Sequence, residues 1–181
     1  VGINNRKAAR IAGRLMGQFL GGTGKIAVVS SAIASENNNY YVQVRETEFA
    51  DFIHKEYPDI EIITTLDSFE DPQITYEKTV KLLRDYQDLQ GIYITCGGVS
   101  QVGRALEESG RAKDIRVISF EDYPEVVDLI RKDVIDCTLA GELQQQGEIP
   151  VQIIMDYLVF GKEPEQQQIF TDIRVLVKES L

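Results

Sequence analysis

GIYITCGGVSQVGRALEESGRAKDIRVISFED, residues 91–122, contains one complete strand–turn–helix–strand unit. Its first apolar run, Gly91 to Gly98, is short and β-branched and shows little polar alternation, as strands buried on both faces of a parallel sheet do. Amphipathic spacing predicts a helix over Ser100 to Ser109 with Gly110 as its stop, and Ile115 to Asp122 supplies the next strand. The same pattern recurs along the chain. Strands are expected at Lys25–Ser31, Ile60–Asp67 and Val134–Glu142, with a last one in IFTDIRVLV at the C-terminus. Helices are expected over Asn5–Leu20, a segment carrying Val44, Phe49, Phe52 and Ile53, Ile74–Tyr86, Pro124–Arg131 and Glu148–Phe160, with Ala34 to Asn39 as a polar loop. The expected architecture is α/β, a doubly wound parallel sheet.

In such sheets ligands collect beyond the carboxyl ends of the strands. Ser30-Ser31, Thr65–Asp67, Cys96–Gly98, Phe120–Asp122 and Ala140–Glu142 are therefore expected along one edge. No catalytic signature lies among them, so binding is the first expectation.

Composition narrows the partners. A formal net charge of -10 and a pI near 4.6 repel a phosphate backbone, so these residues do not contact nucleic acid directly. No apolar run approaches the roughly 20 residues that cross a bilayer, so no membrane partner is expected. Cys96 and Cys137 have no CxxC or Cys/His spacing and read as buried free thiols, in keeping with a reducing cytoplasm. Val1-Gly2-Ile3 runs straight into a helix, as though the chain starts inside a larger fold.

GGTGK, residues 21–25, follows a helix and enters a strand, the reverse of a phosphate-binding loop, and Ile26 stands where a magnesium-holding hydroxyl would be. CGGVSQVG, residues 96–103, follows a strand and opens a helix but lacks dinucleotide-binding spacing, leaving its glycines a tight turn and a close approach. His54 is the only histidine and falls on a wet helix face. Asp67, Glu121, Asp122 and Glu142 lie on separate loops, an arrangement better suited to accepting hydroxyls than to holding a metal. Arg45, near the start of the helix after the first strand, either reaches across the strand-end cleft with its fork of donors or pairs at the surface with Glu46 or Glu48.

With those residues in view, NNRKAARIAGRLMGQFL, GKIAVVSS, VRETEFADFI, YEKTVKLL and LQGIYITCGGVSQVGRALEESGRAKDIRVISFEDYPEVVDLIRKDVIDCTLAGELQQQG together resemble the effector-binding domain of lactose-repressor-family transcription regulators. That domain shares the two-lobed type I periplasmic-binding-protein fold. The resemblance implies that residues 22–141 and 169–181 form the C-terminal lobe, that 1–21 and 142–168 belong to the other lobe, and that the DNA-binding helix-turn-helix is absent from this chain. It places Arg45 at a sugar-contacting arginine, Phe69 near an aromatic that stacks on the ligand, and Glu121 at an acid that accepts sugar hydroxyls. Cys96 and Gly97 stand in place of an Asn-Asp pair, Asp122 beside the acid, and Gly141 in place of a glutamine, which removes several polar contacts. The implied protein is a cytoplasmic sensor of a sugar or related polar metabolite, without a cofactor. It would be a homodimer with contributions from Ser100–Ser109 and Pro124–Arg131, touching DNA only through its missing module. The alternative is an extracytoplasmic sugar-binding protein of an ABC transporter. An enzyme using Glu121 or Asp122 as a base is the third reading, and it requires turnover and a perturbed carboxylate.

Overall fold

The computed structural model describes residues 1–31 and 40–181. The expected polar loop at 34–39 lies outside the described residues. Five apolar runs form parallel strands: β2 (Thr23–Ser30), β3 (Asp59–Asp67), β4 (Leu89–Ile94), β5 (Arg116–Phe120) and β6 (Cys137–Gly141). Their order is β3-β2-β4-β5-β6, closed by β8 (Ile173–Leu176), which runs antiparallel to β6. Helices α1 (Asn5–Phe19), α2 (Tyr40–Glu56), α3 (Pro72–Asp85), α4 (Val99–Ser109) and α5 (Pro124–Arg131) cover this sheet.

Side-chain alternation along the strands divides the core in two. Ala27 and Val29 face one layer with Leu82, Val102, Leu106 and Leu129, while Ile26 and Val28 face the other with Phe49, Ile53, Tyr93 and Ile118. Both faces of the inner strands β4, β5 and β6 are thus dry, which explains why they read as unbroken apolar runs. Local signals set the helix ends. Asn4 caps α1 by accepting from the Lys7 amide, Asp71 caps α3 by accepting from the Ile74 amide, and Pro124 opens α5. Gly98 precedes α4 at φ 92°, where the chain must turn left-handed.

Two expectations are corrected. The terminal IFTDIRVLV is two strands, because Phe170–Thr171 (β7) leaves the main sheet to pair in parallel with Gly2–Ile3 (β1) before Ile173 rejoins it. The last helix, α6, spans Leu143–Phe160 and begins five residues early; Gly147 and Pro150 look like a helix start, yet the helix carries Pro150 inside it. Helix α1 packs into the core on one face of this sheet. Ala8, Ala9, Ala12 and Met16 are fully buried, and the small side chains of the three alanines let α1 lie against α2 and β5.

Helix α6 behaves differently from α1. It buries no residue, and Val151, Ile154, Met155 and Leu158 are exposed. The small sheet β1–β7 joins it to the lobe from the side on which the parallel strands end.

Because α1 is packed here, Met16→Ala is expected to destabilise the chain by about 2–5 kcal/mol in urea unfolding, as a buried large-to-small change does. A change below about 0.5 kcal/mol would mean that α1 is only loosely attached.

Candidate functional site

The parallel strands end at a shared edge, and Arg45 reaches into it from the first turns of α2. Its side chain is only 13% exposed, so it is not a solvated surface arginine. The guanidinium carbon lies 3.9 Å from the centroid of the Phe120 ring. Nε donates to Asn5 Oδ1 at 2.7 Å, Nη1 to the Thr95 carbonyl at 3.2 Å, and Nη2 faces Glu121 Oε1 at 3.5 Å. The ring beneath it is fixed in turn, since Phe120 lies against Tyr93, which stacks on Phe49 at 4.0 Å. Burial lowers the Arg45 guanidinium from its ordinary value and the Glu121 carboxylate opposes that. Arginine nonetheless stays charged at any working pH.

Glu121 sits at φ 69°, a left-handed conformation that costs a residue with a Cβ on the order of 1–3 kcal/mol. Two bonds hold it there: its amide donates to the Leu139 carbonyl at 2.9 Å, and Thr138 Oγ1 donates to its carbonyl at 2.7 Å. The turn aims a half-buried carboxylate at Arg45. Glu46 and Glu48, the surface partners considered for Arg45, do not pair with it; Glu48 is buried between Arg6 and Arg10 on α1.

Arg45, Glu121 and Gly141 share a cavity of about 500 Å³ with Asn5, Tyr41 and Gln146 and with the crossing segments around Gly2 and Phe170. The other expected site residues do not line it. Phe69 is turned out at φ 52° and 53% exposed, with Lys78 Nζ 4.5 Å from its ring centroid. The Cys96 thiol points down to Ser68 Oγ at 3.4 Å, and Gly97 adds only exposed backbone. Asp122 is taken by Arg174, whose Nη2 donates to it at 2.8 Å, while Arg174 Nε stands 2.8 Å from Glu142. These placements follow from near neighbours across the sheet, which a linear sequence does not reveal.

Sequence reasoning missed Asn5, Tyr41 and Gln146. Asn5 read as a helix-start residue, Tyr41 as part of the approach to α2, and Gln146 as one of a run of three glutamines. Asn5 and Gln146 are brought to Arg45 by the chain crossings at β1 and β7, whereas Tyr41 stands one helical turn before Arg45 on α2, an i, i+4 spacing that could have found it. Among the described residues no group of three His, Cys, Asp or Glu side chains could hold a metal ion. The cavity can do one thing chemically: offer fixed donors and acceptors, with charges that nearly cancel, to a polar molecule.

Fold and cleft together define an α/β lobe with a cavity at the edge where its parallel strands end. The chain belongs to the family described as periplasmic binding protein domain, whose match covers residues 1–163. This is a family of binding proteins and not of enzymes, in agreement with the binding expectation. Its structure is similar to a sugar-binding protein of a sugar ABC transporter from Bacillus halodurans, at 26% identity and a TM-score of 0.85 over 98% of this chain. It is also similar to GanP, a glucose-galactose binding protein from Geobacillus stearothermophilus, at 22% identity and a TM-score of 0.87 over 99% of this chain. A third is a solute binding protein of an ABC transporter from Agrobacterium vitis with bound D-fucose, at 24% identity and a TM-score of 0.86 over 98% of this chain. The match spans 62%, 62% and 59% of those three proteins. None of the curated proteins matches this chain.

Burial raises both thiols, Cys96 above its ordinary value and Cys137 to about 12. Neither is expected to react with a thiol reagent at pH 8 in the native protein, and both should react once it is unfolded in urea. A stoichiometric fast reaction of the native chain would show that one thiol faces the cleft.

Proposed function

We propose that this chain is the larger part of a sugar-binding protein that delivers its ligand to a transporter. The observation that carries this is the Arg45–Glu121 pair at the strand-end cleft, with a guanidinium seated on Phe120 and donors still facing the cavity. A sugar presents many hydroxyls and no net charge. It suits a site in which one cation and one anion nearly cancel, since an anionic ligand would face Glu121 and a cationic one Arg45. Tyr41, which lines the cavity and is 61% exposed, supplies the apolar ring face that Phe69 was expected to give.

The names of the similar structures support the transporter reading over the regulator that the sequence resemblance first implied, since they are binding proteins of ABC transporters or of named sugars. The protein then works outside the cytoplasmic membrane, in place of the cytoplasm expected for a regulator, and neither DNA nor a homodimer is needed. Residues 142–168 belong with a second lobe under this reading, which is supported by the apolar side chains that α6 leaves uncovered. Closure of two lobes on one sugar would create the bound state that a transporter recognises, because a ligand shifts an equilibrium only by binding one state better.

The test is calorimetric titration of the full-length protein with neutral aldoses, including D-glucose, D-galactose, D-arabinose and D-fucose. At least one should bind, and Arg45→Ala should weaken it about 10- to 100-fold in a variant that circular dichroism shows to be folded, as expected for lost charge-assisted hydrogen bonds. Failure of every sugar to bind, or full affinity in Arg45→Ala, would remove this reading.

A further inference from the structure

Gly141 ends β6 at the point where the chain leaves the sheet for α6. Its backbone is not left-handed, so conformational freedom is not what the position requires. Space is what it requires: a Cβ here would stand 2.2 Å from Gln146 Nε2 and 2.6 Å from Ile3 Cγ2. The glycine therefore leaves a slot between the end of β6 and β1, and the carboxamide of Gln146, from the first turns of α6, occupies it.

That carboxamide is placed for two tasks. It lines the same cavity as Arg45 and Glu121, and its Nε2 donates to Thr171 Oγ1 at 3.4 Å, a long bond to a buried hydroxyl on β7. Nε2 carries a second hydrogen, and Oε1 accepts no hydrogen bond among the described residues. A donor and an acceptor on one planar group match the dual character of a sugar hydroxyl. The neighbouring Gln144 is, by contrast, engaged with Glu148 on the exposed side of α6.

We infer that Gln146 is a ligand-contacting and specificity-determining residue of the cleft, its carboxamide seated through the space that Gly141 leaves. It supplies from α6 the polar group that position 141 lacks, and through Thr171 it joins ligand contact to one of the strands that cross between the lobes. This inference rests on the sugar-binding reading of the same cavity. It adds a claim that reading does not make, that discrimination between sugars depends on a residue of α6.

The experiment uses the full-length protein and the aldose it binds best, with the series of its monodeoxy derivatives, titrated into wild type, Gln146→Leu, Gly141→Ala and the double variant. Gln146→Leu keeps size and removes the donor and acceptor; Gly141→Ala keeps Gln146 but fills its slot. Each single variant is expected to lose about tenfold in affinity for the parent sugar, and the double variant no more than that, because both remove one interaction. For one deoxy sugar the loss on Gln146→Leu should disappear, a readout that a merely structural role would not produce. Circular dichroism and melting temperature identify a variant that fails to fold, and Gln146→Ala then replaces it. Affinities within twofold of wild type for every sugar in Gln146→Leu, with Arg45→Ala still defective, would overturn this inference and leave the sugar reading standing. If wild type binds no sugar, that reading falls and the inference falls with it.

Discussion

A charged guanidinium held largely out of water costs the fold several kcal/mol unless acceptors are placed around it. Arg45 meets that requirement at the edge of the sheet, and much of the surrounding structure is arranged around it. Phe120 offers its ring face, an arrangement worth about 2 kcal/mol when desolvated. Thr95 offers a carbonyl from the end of the central strand, Asn5 an amide oxygen from the start of α1, and Glu121 a carboxylate held at a strained φ. Four chain segments must therefore arrive at one point. The stack of Phe49 on Tyr93 below Phe120 shows how far down into the core that placement extends.

Pre-organisation of this kind has a functional consequence. A ligand that meets Arg45 finds donors already fixed, so little side-chain entropy remains to be lost on binding. The near cancellation of Arg45 by Glu121 sets the polarity of the site without giving it a strong net charge. Arg174 has the matching role at the far end of the edge, where it holds Asp122 and Glu142 and keeps two further carboxylates away from the cavity.

The fold was legible in the sequence because parallel strands buried on both faces leave an unmistakable mark, and all five runs became strands. The edge where the strands end was legible for the same reason, and Arg45, Glu121 and Gly141 line the cavity there. What the sequence did not show depends on contacts between distant segments. Phe69 is turned away by its left-handed backbone and by Lys78, the Cys96 thiol turns under Ser68, and Asp122 goes to an arginine 52 residues later. Asn5 and Gln146 were invisible because only the pairing of β1 with β7 carries their segments past Arg45, while Tyr41 stands one helical turn before Arg45 on α2. The alanine-rich face of α1 reads as weakly apolar, yet small side chains are what let a helix lie close to its neighbours.

The most direct test of the account is nitrogen-edited NMR of the arginine side chains in the full-length protein, with the Arg45 Nε–H signal assigned by its loss in Arg45→Lys. The account predicts a signal protected from water exchange in the free protein, which shifts on titration with a neutral sugar and stays unmoved by the corresponding sugar acid. An Arg45 signal that exchanges freely with water, or that is unchanged by a sugar which binds, would contradict it.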